Sequence, residues 1–211
     1  ASMLIIGGAG IPPVVAGTLL TGANKPVVII TDSFGNLLSG LTITWSAPTQ
    51  VSGGSFAGGS TSTTNASGVA VMPDYQTAAV VGNYVFRATL GSLTQDFTLT
   101  TIPGPAAALQ IVSGNGQTGT VGLALAQPLV VRAVDAGGNG VSGVSVSFAS
   151  AGGSLSPMSA TTNALGQASA TWTMGTVAGA RSATASAAGL TGSPVTFTAT
   201  ALAGAPHSLY I

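Results

Sequence analysis

The sequence predicts an all-β chain of two tandem β-sandwiches arranged end to end, and three observations carry that reading. Residues 128–172 run strand, tight turn, strand, small-residue loop, second turn, strand, and residues 26–72 follow the same order. Self-similarity at a roughly fixed period marks tandem architecture. The apolar residues recur with period two, as half-buried antiparallel strands require. No stretch offers an amphipathic helix of ten residues, and Gly, Asn and Pro punctuate the short apolar runs, the pattern of a sandwich.

Taken in chain order, residues 3–20 form an uncharged apolar run long enough to suggest a membrane span. Gly7, Gly8, Pro12 and Pro13 interrupt it, no basic segment precedes it, and it lines up with residues 109–125, so no membrane insertion of this segment is expected and residues 3–6 read as an opening strand. Val28 and Ile30 then match Val131 and Ala133 as inward positions, with Ile29, Thr31, Arg132 and Val134 facing outward. Asp32, Gly35, Asn36, Gly40 and Trp45 answer to Asp135, Gly138, Asn139, Gly143 and Phe148, each 103 positions on. The Asp carboxylate can accept bonds from turn amides, while Gly and Asn tolerate the positive φ expected at the reversal. Leu41, Ile43 and Trp45 alternate inward, as do Val144, Val146 and Phe148, which puts Trp45 and Phe148 in the gap between sheets.

Gly53, Gly54 and Ser55 answer to Gly152, Gly153 and Ser154. Thr64, Asn65 and Gly68 answer to Thr162, Asn163 and Gly166 and predict a second turn of the same kind. Trp172 reads as a third core residue; its counterpart region holds Pro73 and Asp74, so pairing is expected to break there in the first unit. Tyr84, Phe86 and Ala88, then Phe97 and Leu99, close the first unit. Tyr75 and Tyr210 have no evident core position. Residues 102–107 read as a short stiff linker through Pro103 and Pro105. Residues 203–211 resemble 103–111, with Leu209 and Ile211 matching Leu109 and Ile111. The expected division is a first domain over 1–102, a second over 103–203, and over 204–211 the first strand of a further repeat or a donor strand.

Composition excludes several functions. Of 211 residues only 4% are charged, with formal net charge +0, and Lys25, Arg87, Arg132 and Arg181 are scattered, so no nucleic-acid surface is expected. The 45% hydrophobic content argues for a folded chain. Without cysteine there is no disulfide and no thiolate metal site. Solubility resting on Ser, Thr, Asn and Gly in place of Lys and Glu reads as extracellular. Catalysis needs a nucleophile with a base in reach or paired carboxylates. His207 is the one histidine, read as exposed, and Asp32, Asp74, Asp96 and Asp135 are dispersed, so no catalytic residue, cofactor or metal is expected. Asp32 or Asp135 with turn carbonyls makes a weak calcium site at most, and a carboxylate capping its own turn is the favoured reading. Lys25, the one lysine, reads as no crosslinking residue, and the Gly-rich stretches 53–60 and 136–140 open no phosphate loop.

The ordered set (Val-rich strand, Asp-x-x-Gly-Asn, Gly40 or Gly143, Trp45 or Phe148, Gly-Gly-Ser, Thr-Asn-x-x-Gly, alternating Ala) occurs twice and resembles tandem bacterial Ig-like domains of group 1, the Big-1 modules of intimin- and invasin-type adhesin stalks. Leu37 and Gly140 stand where that family commonly has Pro. The resemblance implies two Ig-like sandwiches in a non-enzymatic spacer or fibre-forming segment of an extracellular or cell-surface bacterial protein, with neighbouring Ig-like domains of the same chain as partners. One alternative is a filament subunit that self-associates into fibres by donating the strand around Leu209 and Ile211. Another is a carbohydrate-binding accessory module, which calls for an exposed aromatic platform.

Overall fold

The computed structural model describes residues 2–7, 11–48 and 54–207. Among the described residues it is all-β apart from one 3-10 turn at Gly22–Asn24, and it forms two compact units, residues 1–103 and 104–211. The strands of the first unit are β1 (Ser2–Gly7), β2 (Val14–Val15), β3 (Leu19–Leu20), β4 (Val27–Thr31), β5 (Thr42–Ser46), β6 (Ser55–Phe56), β7 (Thr61–Thr63), β8 (Val69–Val71), β9 (Tyr75–Gln76), β10 (Gly82–Leu90) and β11 (Leu93–Ile102). Those of the second are β12 (Ala108–Ser113), β13 (Gln117–Thr120), β14 (Leu129–Val134), β15 (Ser145–Ser150), β16 (Gly153–Ser156), β17 (Ser159–Thr161), β18 (Gln167–Met174), β19 (Gly179–Ser186) and β20 (Val195–Leu202).

In the second unit the sheet β12-β14-β18-β16 faces the sheet β13-β20-β19-β15-β17. All ladders are antiparallel except β13 with β20, which run parallel over four residue pairs. The first unit repeats this plan with β2-β11-β10-β5-β7, but its other layer is split into β1-β4-β8 and β3-β9-β6. The split falls at Met72-Pro73-Asp74, between β8 and β9. Proline has no N–H to give the ladder, and the segment also holds one extra residue. Ala70 and Ala168 occupy the same register, opposite Val28 and Val131. Tyr75 opposite Phe56 then corresponds to Trp172 opposite Leu155, five positions on in one unit and four in the other.

Each unit closes a separate core. Val28, Ile30, Ile43 and Trp45 are buried in the first; Val131, Ala133, Val146, Phe148 and Trp172 are buried in the second. Three expectations need correction. Val134 is buried instead of outward-facing, because the Ala107 N–H binds its carbonyl and a bridge to Gly140 closes over it. Tyr75 is a core residue at 1% exposure, packed edge-on to Phe86 with ring centres 4.7 Å apart. No asparagine among the described residues has positive φ; Gly35, Gly138, Gly68 and Gly166 take the left-handed conformations alone.

Candidate functional site

The residues singled out by sequence form two turn networks in each unit. At the end of β4, Asp32 Oδ1 accepts the N–H of Phe34 at 2.8 Å and of Asn36 at 2.9 Å. Asn36 Nδ2 donates to Asp32 Oδ2 at 2.8 Å. At the end of β14, Asp135 Oδ1 accepts from Gly137 at 2.9 Å and Asn139 at 2.8 Å, and the Asn139 amide again faces the carboxylate. The asparagines therefore work through their side-chain amides, while glycine supplies the reversal.

The carboxyl of Asp32 is held below its usual range, first by the Asn36 side chain and then by backbone N–H groups. Burial pushes Asp135 up, but the Asn139 side chain and the N–H groups of Gly104, Asn139 and Gly137 outweigh it, so its carboxyl also lies low. Gly104 is new to this network: its N–H reaches Asp135 Oδ2 at 2.9 Å and ties the start of the second unit to its first turn.

The second pair of turns is more nearly identical. Asn65 Oδ1 accepts from Ser67 and Val69 at 2.9 and 3.0 Å, and Asn163 Oδ1 from Leu165 and Gln167 at the same distances. Gly166 has no room for a side chain, since an added Cβ would lie 2.5 Å from the Ala133 carbonyl and 2.7 Å from Gly140 Cα. The buried hydroxyls of Thr64 and Thr162 accept the N–H of Leu41 at 3.0 Å and Val144 at 2.9 Å, joining each second turn to the start of the central strand. Sequence reasoning noted these threonines only as repeat markers; their partners lie far along the chain.

Trp45, Phe148 and Trp172 are core residues. The Trp45 indole donates to Ser62 Oγ at 2.8 Å, whereas Trp172 Nε1 is buried without a hydrogen-bond partner. A further pair also escaped notice. The Tyr84 hydroxyl donates to the carbonyl of Val80, four residues upstream. At the corresponding position of β19, Arg181 Nη2 donates to Val177 at 2.6 Å, also four residues upstream.

The remaining charges are also paired locally. Lys25 meets Asp74 at 2.7 Å and Arg87 meets Asp96 at 2.6 Å. Arg87 holds the Asp96 carboxyl below its ordinary value. Arg132 Nε donates to the Leu165 carbonyl at 3.0 Å. His207 is exposed, and among the described residues no cluster of three or more His, Cys, Asp or Glu could hold a metal. No helix among the described residues is long and apolar enough to cross a membrane. Phe34 stands 90% exposed at the tip of the first turn, where the second unit has Gly137. Gly53, Leu209, Tyr210 and Ile211 lie outside the described residues.

Residues 124–200 match the family model of the bacterial Ig-like domain (group 1). No curated protein matches the chain in sequence. The solved structure of FdeC, an Escherichia coli adhesin, is 22% identical with a TM-score of 0.51, covering 94% of this chain and 63% of its own. Invasin, a bacterial integrin-binding protein, is 21% identical over 96% of this chain and 39% of its own, with a TM-score of 0.46. Yersinia pseudotuberculosis InvD is 17% identical over 89% and 54%, with a TM-score of 0.48. The chain thus spans between 39% and 63% of these three structures, and the likeness to FdeC shows a shared fold.

Proposed function

We propose that this chain, whose residues 124–200 match the bacterial Ig-like (group 1) family model, is a non-enzymatic structural and adhesion module. It acts as a spacer in an extracellular or cell-surface bacterial protein, with neighbouring Ig-like domains as its partners. The observation that carries this reading is the self-sufficiency of each unit: each has its own core, and its turn carboxylates and amides bind its own backbone. Such a unit holds its length without a ligand, metal or crosslink.

The strand plan supports the same reading. β13 lies near the start of the second unit and β20 near its end, and they run parallel over four residue pairs. Pulling the two ends apart shears these pairs together instead of opening them one by one. The matching pair in the first unit, β2 with β11, has two residue pairs. Single-molecule stretching should therefore show two separate unfolding steps, each releasing roughly 30 nm at about 3.3–3.6 Å per residue, with the first unit yielding at lower force. A single merged step, or extension without resistance, would refute the spacer reading.

A further inference from the structure

On the outer face of the sheet β12-β14-β18-β16, one row across three strands is polar throughout. Gln110 opposes Arg132, and Arg132 opposes Gln167, so the three side chains stand side by side at the strand spacing of about 4.7–4.9 Å. Alternation along β14 puts Arg132 outward and half-buried, between the buried Val131 and Ala133. The next row sets the half-buried Val130 between Ser113 and Ser169. In the first unit the row that matches Gln110, Arg132 and Gln167 is Leu4, Ile29 and Val69, apolar at every place.

Arg132 is also the one arginine with neither Nη engaged by a protein group among the described residues. Arg87 is paired with Asp96, and Arg181 gives both Nη to the carbonyls of Val177, Ala178 and Ala180. Arg132 donates only through Nε, to the Leu165 carbonyl at 3.0 Å, which holds the guanidinium by one corner and leaves its outer edge open. Asp135 is the one acid of the second unit, and its oxygens are taken by Gly104, Gly137 and Asn139. The side-chain amides of Gln110 and Gln167 bond no protein group among the described residues.

A guanidinium with both Nη open presents parallel N–H groups that suit a carboxylate. Each flanking carboxamide carries a donor and an acceptor, the pair that a hydroxyl needs. An Asp or Glu side chain would use the guanidinium but bring no donor for the two carboxamide oxygens. A sugar acid has both: a carboxylate, and hydroxyls on the ring that bears it. We propose that Gln110, Arg132 and Gln167 bind a uronate unit of an acidic polysaccharide. The carboxylate sits on the two Nη of Arg132, ring hydroxyls meet Gln110 and Gln167, and the C–H face of the ring lies on Val130. This adds a ligand to the spacer and does not rest on the spacer reading.

The test is a nuclear magnetic resonance titration of the nitrogen-labelled chain with a galacturonate trimer. The side-chain amides of Gln110 and Gln167 and the Nε–H of Arg132 should move together, while the amides of Gln76, Gln95 and Gln127 stay in place. The trimer with its carboxyls methyl-esterified should move none of them. R132Q, with a circular dichroism spectrum matching the parent, should weaken binding roughly tenfold or more, since a charged donor is lost. R132K should weaken it severalfold, because an ammonium keeps the charge without the fork. Resonances that ignore the trimer, or follow the methyl ester equally, would overturn the site. Tetra-aspartate moving them as strongly as the trimer would overturn the sugar and assign the row to an acidic peptide. Neither result bears on the unfolding steps under force, so the spacer reading fails or stands separately.

Discussion

The two units solve one packing problem with different side chains. The first fills its gap with rings: Trp45, Tyr75, Tyr84, Phe86 and Phe97 are all buried. The second keeps Phe197 in the place of Phe97 but has Phe148 for Trp45, Arg181 for Tyr84 and Ala183 for Phe86. Trp172, in the place of Tyr75, is the larger ring set where the facing strand has become small. The larger indole of Trp172 thus offsets part of the ring volume that Ala183 gives up. The same contrast appears in the backbone. The first unit breaks a strand at Pro73 and accommodates an extra residue, while the second runs β18 through eight residues without interruption.

The sharpest way to break the comparison is to exchange the facing positions. F86A should cost the first unit about 3–5 kcal/mol by opening a cavity. A183F should cost the second about 1–3 kcal/mol by overpacking, and W172Y should recover part of that loss in the double variant. Denaturant unfolding with two resolved transitions measures each; simple additivity of A183F and W172Y would refute compensation. Next in size, T171P in β18 should destabilise the second unit by about 3 kcal/mol, although its first-unit counterpart carries Pro73 in the folded state. An unchanged melting profile would show that the extra residue is not what makes the proline tolerable.

R181A should cost the second unit about 1.5–3 kcal/mol and Y84F the first about 1 kcal/mol, since hydrogen bonds from a charged donor are the stronger. Equal losses would mean that the guanidinium contributes only as the phenol does. The smallest effect concerns acid. The folded values of Asp32 and Asp135 are both lowered, so their contribution is complete above the unfolded value of about 3.9 and is lost as pH falls through the folded values. D135N should flatten the acid limb of the second unit's stability curve more than D32N flattens the first, because Asp135 is buried. A reversed order in acid titrations would contradict that ranking.

Most of the architecture was legible because the same residue types recur at the same spacing. Val28, Ile30, Trp45 and the turn pairs Asp32–Asn36 and Asp135–Asn139 needed only periodicity and turn chemistry. Tyr75 escaped because a constant offset sets Asp74, not Tyr75, against Trp172; one inserted residue slips the alignment by one. The positive φ assigned to asparagine was wrong because adjacent glycines adopt it more cheaply and leave the Asn amide free to bond. Thr64, Thr162 and Gly104 act on partners 18–31 positions away, distances over which sequence carries no local signal.

One consequence follows from the way the few charges are held. Lys25, Arg87, Arg132 and Arg181 each meet a carboxylate or carbonyl close by, and Asp32 and Asp135 are satisfied by amides of their own turns. With formal net charge +0 and only 4% of residues charged, little long-range field remains for counterions to screen. The stability of each unit should therefore change little between low and high salt, the half-exposed Arg87–Asp96 pair being the contact that salt weakens.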